Sequence, residues 1–178
     1  MNAIRVTRIQ NASMRRIPFQ QKIGAGLTRS QFRAKEAEGT LRHVGLVESM
    51  HMIAQNLSWK LDRTKESLRP VIAKRTITCG YVRIGKGCAC GVEQIGRGYV
   101  GKKEVIRLHF RAAVGEHESV DTVKIIGNPT IKSVIPGGVN GDVATCAITI
   151  NAVRSILSAG VGLKTMLDLP VPGCFHEA

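Results

Sequence analysis

The stretch that most constrains this chain runs from Ile135 to Gly160, IPGGVNGDVATCAITINAVRSILSAG. Gly137, Gly138 and Gly141 lead into Asp142, and a long, almost unbroken apolar run follows. Asp is a favoured N-cap because its carboxylate accepts from the free amides of the first helical turn, so Asp142 reads as the start of a helix. Val143, Ala144, Ile148, Ile150, Val153 and Ile156 cover that helix on nearly every side, and a helix apolar all round is a buried one. Thr145, Asn151 and Arg154 interrupt it, and it is too short to span a bilayer. Gly160 stands where a left-handed C-cap belongs. Upstream, Thr130 to Ile135 alternates like a strand. Strand, glycine loop and buried helix aim backbone amides at one spot, which suits an anionic or carbonyl-bearing ligand. The same glycines serve equally well if they only turn the chain tightly against a sheet.

The 178 residues fit one domain with a real core. Charge is lopsided, with 26 basic against 13 acidic residues and a net of +13. Such a balance attracts nucleic acid, anionic membranes or acidic ligands. Aromatics are only 4% of the chain, which argues against a base-stacking platform. The basic residues are spread out, so a solvated surface accounts for many of them. The five cysteines are an odd number, no secretory segment follows Met1, and the chain reads as cytoplasmic with reduced thiols. Cys88 and Cys90 lack CxxC spacing. With Cys79, His109 and His117 they could form a zinc site, but buried small side chains account for them better, so no metal is expected.

In chain order, Ala3 to Gln10 reads as a first strand. Asn11 to Leu27 reads as a long loop, and Arg15, Arg16, Lys22, Gly24 and Gly26 make it a plausible acid-facing segment or an ordinary basic surface. Thr28-Arg-Ser-Gln31 has capping-box spacing and opens a helix to Glu38, ended by Gly39. Gly45 to Trp59 is a second helix, with Leu46, Met50, Ile53, Ala54 and Leu57 at helical spacing. From Glu66 to Ile126 the period falls to two, giving strands over 71–72, 77–82, 91–95, 104–114 and 119–126. Alternation puts Val105, Arg107, His109 and Arg111 on one face of their strand and Ile106, Leu108 and Phe110 on the other. Gly96-Arg-Gly98-Tyr-Val-Gly101 matches GxGxxG by letter, but strand-like residues follow where a dinucleotide fingerprint needs a helix, so it reads as a hairpin.

Several segments together carry a resemblance. They are Gln21–Thr28 (QKIGAGLT), His43–Ser49 (HVGLVES), Glu104–Phe110 (EVIRLHF), Gly137–Thr145 (GGVNGDVAT) and Gly162–Pro170 (GLKTMLDLP). In that order, over residues 3–173, the chain resembles the C-terminal domain of 2,4-diaminopentanoate dehydrogenase, in the dihydrodipicolinate reductase-like family. The resemblance implies an α+β fold, a mostly antiparallel or mixed sheet with helices packed on one face. It also implies a single substrate-binding and oligomerisation domain over 1–178, whose Rossmann half, binding NAD or NADP, is not in this sequence. The chain alone is expected to bind no cofactor.

By the same resemblance, Lys22 is the catalytic candidate. Gly24, Ala25, Gly26, Gly137, Gly138, Asn140, Gly141, Asp142 and Thr145 are the substrate-binding candidates. A lysine before a glycine turn can hold a carboxylate or polarise a carbonyl. Asp142 can pair with a substrate ammonium, though its capping role explains it without one. The region from Arg15 to Thr28 lacks the histidine pair of the reductases, which favours an amine-oxidising ancestry. The implied partners are further copies of the chain through the sheet, a separate Rossmann-domain chain and a small amino-acid substrate, with no membrane. A non-catalytic binding protein or remnant is the alternative, and a nucleic-acid-binding module rests on the charge alone.

Overall fold

A computed structural model describes residues 1–41, 45–80 and 82–171. His43, Val44 and Tyr81 of the readings above lie outside them, as does Cys174, the fifth cysteine. The chain divides into two compact units, Met1–Gly138 and Val139–Ala178.

The first unit contains β1 (Ala3–Asn11), α1 (Ile17–Lys22), α2 (Arg29–Ala37), α3 (Leu46–Asn56), β2 (Arg63–Ile72), β3 (Ile77–Cys79), β4 (Val82–Ile84), β5 (Ala89–Val100), β6 (Lys103–Ala113), β7 (Val120–Ile126) and β8 (Ile131–Pro136). Six strands form one sheet in the order β2-β5-β6-β1-β7-β8, and β3 and β4 form a small hairpin. β1 runs parallel to β6 and antiparallel to β7, so the sheet is mixed, as expected. Its other pairings are antiparallel.

One face of β6 supplies the core through Ile106, Leu108, Phe110 and Ala112, all buried. α3 lays Leu46, Met50 and Ala54 against this face to make one cluster with Val105, Ile106 and Leu108. Phe32 of α2 and Ile23 anchor a second cluster with Val71, Val92, Phe110 and Val114. Full burial of a side chain such as Phe32 contributes about 1.5–3 kcal/mol. Gln94 is buried on the same side, and its amide donates to Glu66.

The GxGxxG letters are explained by packing. Gly96 and Gly98 lie inside β5, and Gly101, at φ +58°, turns the chain into β6. A Cβ on Gly96 would sit 3.0 Å from Met50 Cε, and one on Gly98 would sit 3.1 Å from Leu61 Cδ1. The hairpin expected from sequence is present, and its glycines let α3 and Leu61 approach the sheet.

Register slips at two places, between Val71 and Ile72 on β2 and near the β5–β6 turn. The β5–β6 register slips between Gly98 and Tyr99, so Gly98 faces Ile106 while Tyr99 faces Glu104. Val105 is the extra residue of this bulge and joins the core beside Ile106. Glu104 takes the place expected for Val105 and pairs with Arg107.

α2 begins with the expected capping box, in which Thr28 Oγ1 accepts from the Gln31 amide and Gln31 Oε1 from the Thr28 amide. The segment 11–27, expected as a loop, instead carries α1, with Pro18 in its first turn. Proline lacks the amide that a first turn leaves unused, so it favours that position. Buried Gln20 fixes the approach to α1, its Nε2 donating to the carbonyls of Ala12, Ser13 and Arg15 at 3.0, 3.2 and 3.1 Å.

The second unit contains α4 (Gly141–Leu157), and it corrects three expectations. Asn140, not Asp142, is the N-cap, and its Oδ1 accepts from the amides of Asp142 and Val143 at 3.0 and 3.2 Å. Asn caps as well as Asp does, and Asp142 then falls in the first turn, where the helix dipole favours a carboxylate. The C-cap is Ser158, and the left-handed glycine beyond it is Gly162 at φ +111°, not Gly160. Most importantly, no residue of α4 is buried. Val143 is 66% exposed, Ile150 69% and Leu157 81%. An all-round apolar pattern reports that a helix needs cover, and the described residues of the second unit leave α4 without it.

Gly96→Val forces a branched side chain against Met50 and Leu46. It is expected to lower stability by about 1–3 kcal/mol in urea unfolding, with a smaller loss when Met50→Ala is added.

Candidate functional site

Lys22 closes α1 and is exposed, with no ion-pair partner among the described residues. A cation in the last turn of a helix also suits the dipole. The turn after it is tightly bonded. The Gly24 amide donates to Gln21 O, the Ala25 amide to Gln20 O and the Gly26 amide to Ala89 O, at 2.9, 3.0 and 2.8 Å. The Ala89 amide returns a bond to Leu27 O at 2.8 Å, which ties the turn to the start of β5. Gly24 has φ +74°, and a Cβ there would lie 2.9 Å from Phe32 Cδ2. The turn therefore presents Lys22 from a rigid base, while its own amides are committed internally.

Gly137 and Gly138 follow β8 with φ +77° and +65°. Gly137 borders an open hollow of about 500 Å³ lined also by Glu118, Ser119, Val120, Val134 and Pro136. Glu118 and Ser119 were not singled out by sequence, since they precede β7 without a motif. In the second unit, Asn140, Gly141, Asp142 and Thr145 all fall in the cap and first turns of α4. The Asn140 carbonyl also accepts from the Ala144 amide at 2.9 Å, and Thr145 Oγ1 donates back to Gly141 O at 2.7 Å. Much of the donor capacity at this helix start is thus used by the cap. The structure brings Lys22 together with the Gly24–Gly26 turn, and Asn140 together with Gly141, Asp142 and Thr145.

The sheet face opposite α3 carries a network of ion pairs. Glu93 lies 3.1 Å from Arg69 and 3.0 Å from His109, and Glu116 lies 2.6 Å from Arg111. Glu104 takes a two-pronged bond from Arg107 at 2.7 and 3.0 Å and also faces Arg5 and Arg97. The hydrogen bonds from Arg107 to Glu104 hold that guanidinium protonated still more firmly than usual. Among the described residues no group of His, Cys, Asp and Glu is arranged to hold a metal ion. Cys79 and Cys90 instead donate to the carbonyls of Ser13 and Val71 at 3.0 and 3.4 Å. Burial pushes the Cys90 thiol pKa up, whereas Cys146 on α4 is exposed. No helix among the described residues is long and apolar enough to cross a membrane.

The fold is that of a dehydrogenase domain. The structure of an amine dehydrogenase from Mycobacterium smegmatis superimposes with a TM-score of 0.84 over 98% of this chain and 53% of that one, at 16% identity. The family model for the 2,4-diaminopentanoate dehydrogenase C-terminal domain matches residues 1–178, and the chain belongs to that family. It is 36% identical over 157 residues to a 2,4-diaminopentanoate dehydrogenase from Acetoanaerobium sticklandii, covering 84% of this chain and 44% of the relative. The chain thus spans about half the length of the proteins it matches.

Two expectations separate the readings of α4 and of the thiols. Asn140→Ala is expected to weaken amide-exchange protection in the first turns of α4 by about 1 kcal/mol, and Asp142→Asn by a few tenths at most. At mildly alkaline pH, iodoacetamide is expected to alkylate Cys146 well before Cys90, as read by peptide mass spectrometry. The raised pKa and burial keep Cys90 a protected thiol.

Proposed function

We propose that this chain is the substrate-binding and oligomerisation half of an NAD(P)-dependent amino-acid dehydrogenase, acting on a 2,4-diaminopentanoate-like substrate together with a nucleotide-binding half. The observation that carries the reading is α4, an apolar helix with no buried residue in a chain about half as long as its relatives. A helix of this kind needs a protein surface over it, and the remaining half of a dehydrogenase would supply one.

The described residues offer no nucleotide cradle of their own. Gly96, Gly98 and Gly101 lie in a β-hairpin, with Met50 and Leu61 in the space a pyrophosphate would need. The dinucleotide, which accepts hydride in such enzymes, therefore belongs to the other half. In this reading the Lys22 ammonium holds the substrate carboxylate, and its short stiff anchor at Gly24–Gly26 limits its reach. Taken by itself, the second unit offers the Asp142 carboxylate, in the first turn of α4, as a partner for an ammonium group. Thr145, bonded back to Gly141, keeps that first turn in shape. The described cysteines are free thiols, which supports placing the working protein in the cytoplasm.

The test mixes this chain with the separately expressed nucleotide-binding half of the Acetoanaerobium sticklandii relative. The expected outcome is a complex by light scattering and reduction of NAD⁺ or NADP⁺ by 2,4-diaminopentanoate in the mixture alone. Lys22→Met should then lower kcat/KM by about 100-fold with the complex intact. A chain that binds neither the nucleotide half nor the amino acid refutes this reading. One that binds the amino acid without any turnover is instead a stand-alone binding protein.

A further inference from the structure

Alternation along β1 turns Arg8 and Gln10 to the side of the sheet that α3 covers, since Arg8 lies opposite Phe110 and Gln10 opposite Ala112 on β6. Charged side chains rarely turn toward a core unless they are paired. Asp121 on β7 lies opposite Arg8 on that same side, with its Oδ1 3.7 Å from Arg8 Nε. The pair is sheltered but reachable, the Arg8 side chain being 33% exposed and that of Asp121 15%. The glycine turn after β8 comes up beside it. A Cβ on Gly138 would lie 3.7 Å from Asp121 Oδ2, so glycine there keeps that flank of the carboxylate clear of a side chain.

A second guanidinium arrives from the segment before α1. Arg15 Nη1 lies 3.4 Å from Oε1 of the buried Gln10, and its guanidinium stacks 4.0 Å from the Phe19 ring centroid. The Arg15 carbonyl accepts from Gln20 Nε2 at 3.1 Å. Arg15 is therefore held in place at both its backbone and its head, and a group fixed beforehand loses little freedom when it binds. The Gln10 amide lies between the two guanidiniums. Turned over, its oxygen accepts instead from Arg8 Nε and Nη2, at 3.0 and 2.9 Å. One amide oxygen serves one of these guanidiniums at a time, whereas a carboxylate brings two oxygens and the charge to match.

We infer that Arg8, Arg15 and Asp121 clamp the α-amino-acid head of the substrate, the guanidiniums taking its carboxylate and Asp121 its α-ammonium. An α-amino acid carries these two opposite charges on neighbouring carbons, roughly 3 Å apart. Arg8 Nε and Asp121 Oδ1 present their complements in the same order, 3.7 Å apart. The planar fork of arginine suits a carboxylate, and partial shelter from water strengthens each contact. Arg15 and Gly138 belong to the two segments that the sequence singles out as ligand-facing, and the first unit brings both to this pair. The clamp rests on the amino-acid reading above and adds to the contact assigned to Lys22.

The test is calorimetric titration of the full chain with three ligands. They are 2,4-diaminopentanoate, 4-aminopentanoate, which lacks the α-ammonium, and 2,4-diaminopentane, which lacks the carboxylate. Each truncated ligand should bind the native chain about tenfold more weakly than 2,4-diaminopentanoate. Asp121→Asn should erase the preference over 4-aminopentanoate, and Asp121→Glu should restore part of it. Arg15→Gln should erase the preference over 2,4-diaminopentane. Arg15 lies outside every strand and helix, so this variant reports on the clamp even where a strand variant folds poorly. A variant that weakens all three ligands alike, or that keeps the native preferences, makes the cluster a structural ion pair and overturns the clamp. Absence of 2,4-diaminopentanoate binding by the native chain overturns it as well. The dehydrogenase reading is judged separately, by complex formation and turnover with the nucleotide-binding half, and survives either result if the mixture is active.

Discussion

The first unit depends on the two-sidedness of β6. Its inner side chains, Ile106, Leu108, Phe110 and Ala112, are buried, while Arg107, His109 and Arg111 stand on the opposite face among carboxylates. A slip of one residue would move the arginines into the core and the apolar residues into solvent, so the register is strongly specified. β6 also holds the neighbours on both sides, β5 through the hairpin and β1 through a parallel ladder. The bulge at Val105 is the departure on this strand, and it serves the same end. It adds a methyl-bearing residue to the cluster under α3 and swings Glu104 out among Arg5, Arg97 and Arg107.

Much of this order is legible in the chain. The capping box at Thr28, the spacing of Leu46, Met50 and Ala54, and the alternation along β6 each follow from local rules, and each is present. The rejection of GxGxxG was also decidable, because the residues after Gly101 alternate as a strand. Bulges escape such reading, since alternation assumes that each residue has one partner. α1 escapes it too, because six residues are too few to display a period and the buried anchor Gln20 is polar.

The candidate site was less legible. The motif around Gly137 to Thr145 locates a helix start, but choosing between Asn140 and Asp142 as its cap turns on backbone angles. The apolar character of α4 was plain, and burial was the natural deduction from it. Hydrophobicity states a requirement and is silent about which chain meets it. Glu118 and Ser119 border the hollow beside Gly137 through the pairing of β7 with β8, a relation between strands that no local pattern carries.

The position of β1 has a consequence for how the chain acquires its structure. The strand nearest the N-terminus is clasped between β6 and β7, with Ile4 opposite both Ile106 and Ile125. During synthesis it emerges long before either neighbour exists, and the helices that follow it can form first. Sheet closure therefore waits on the most distant ladder in the unit, the kind of contact whose loop-closure entropy slows folding. Until then the backbone donors of β1 are open to strangers, and the charges at Arg5 and Arg8 help keep that waiting edge soluble.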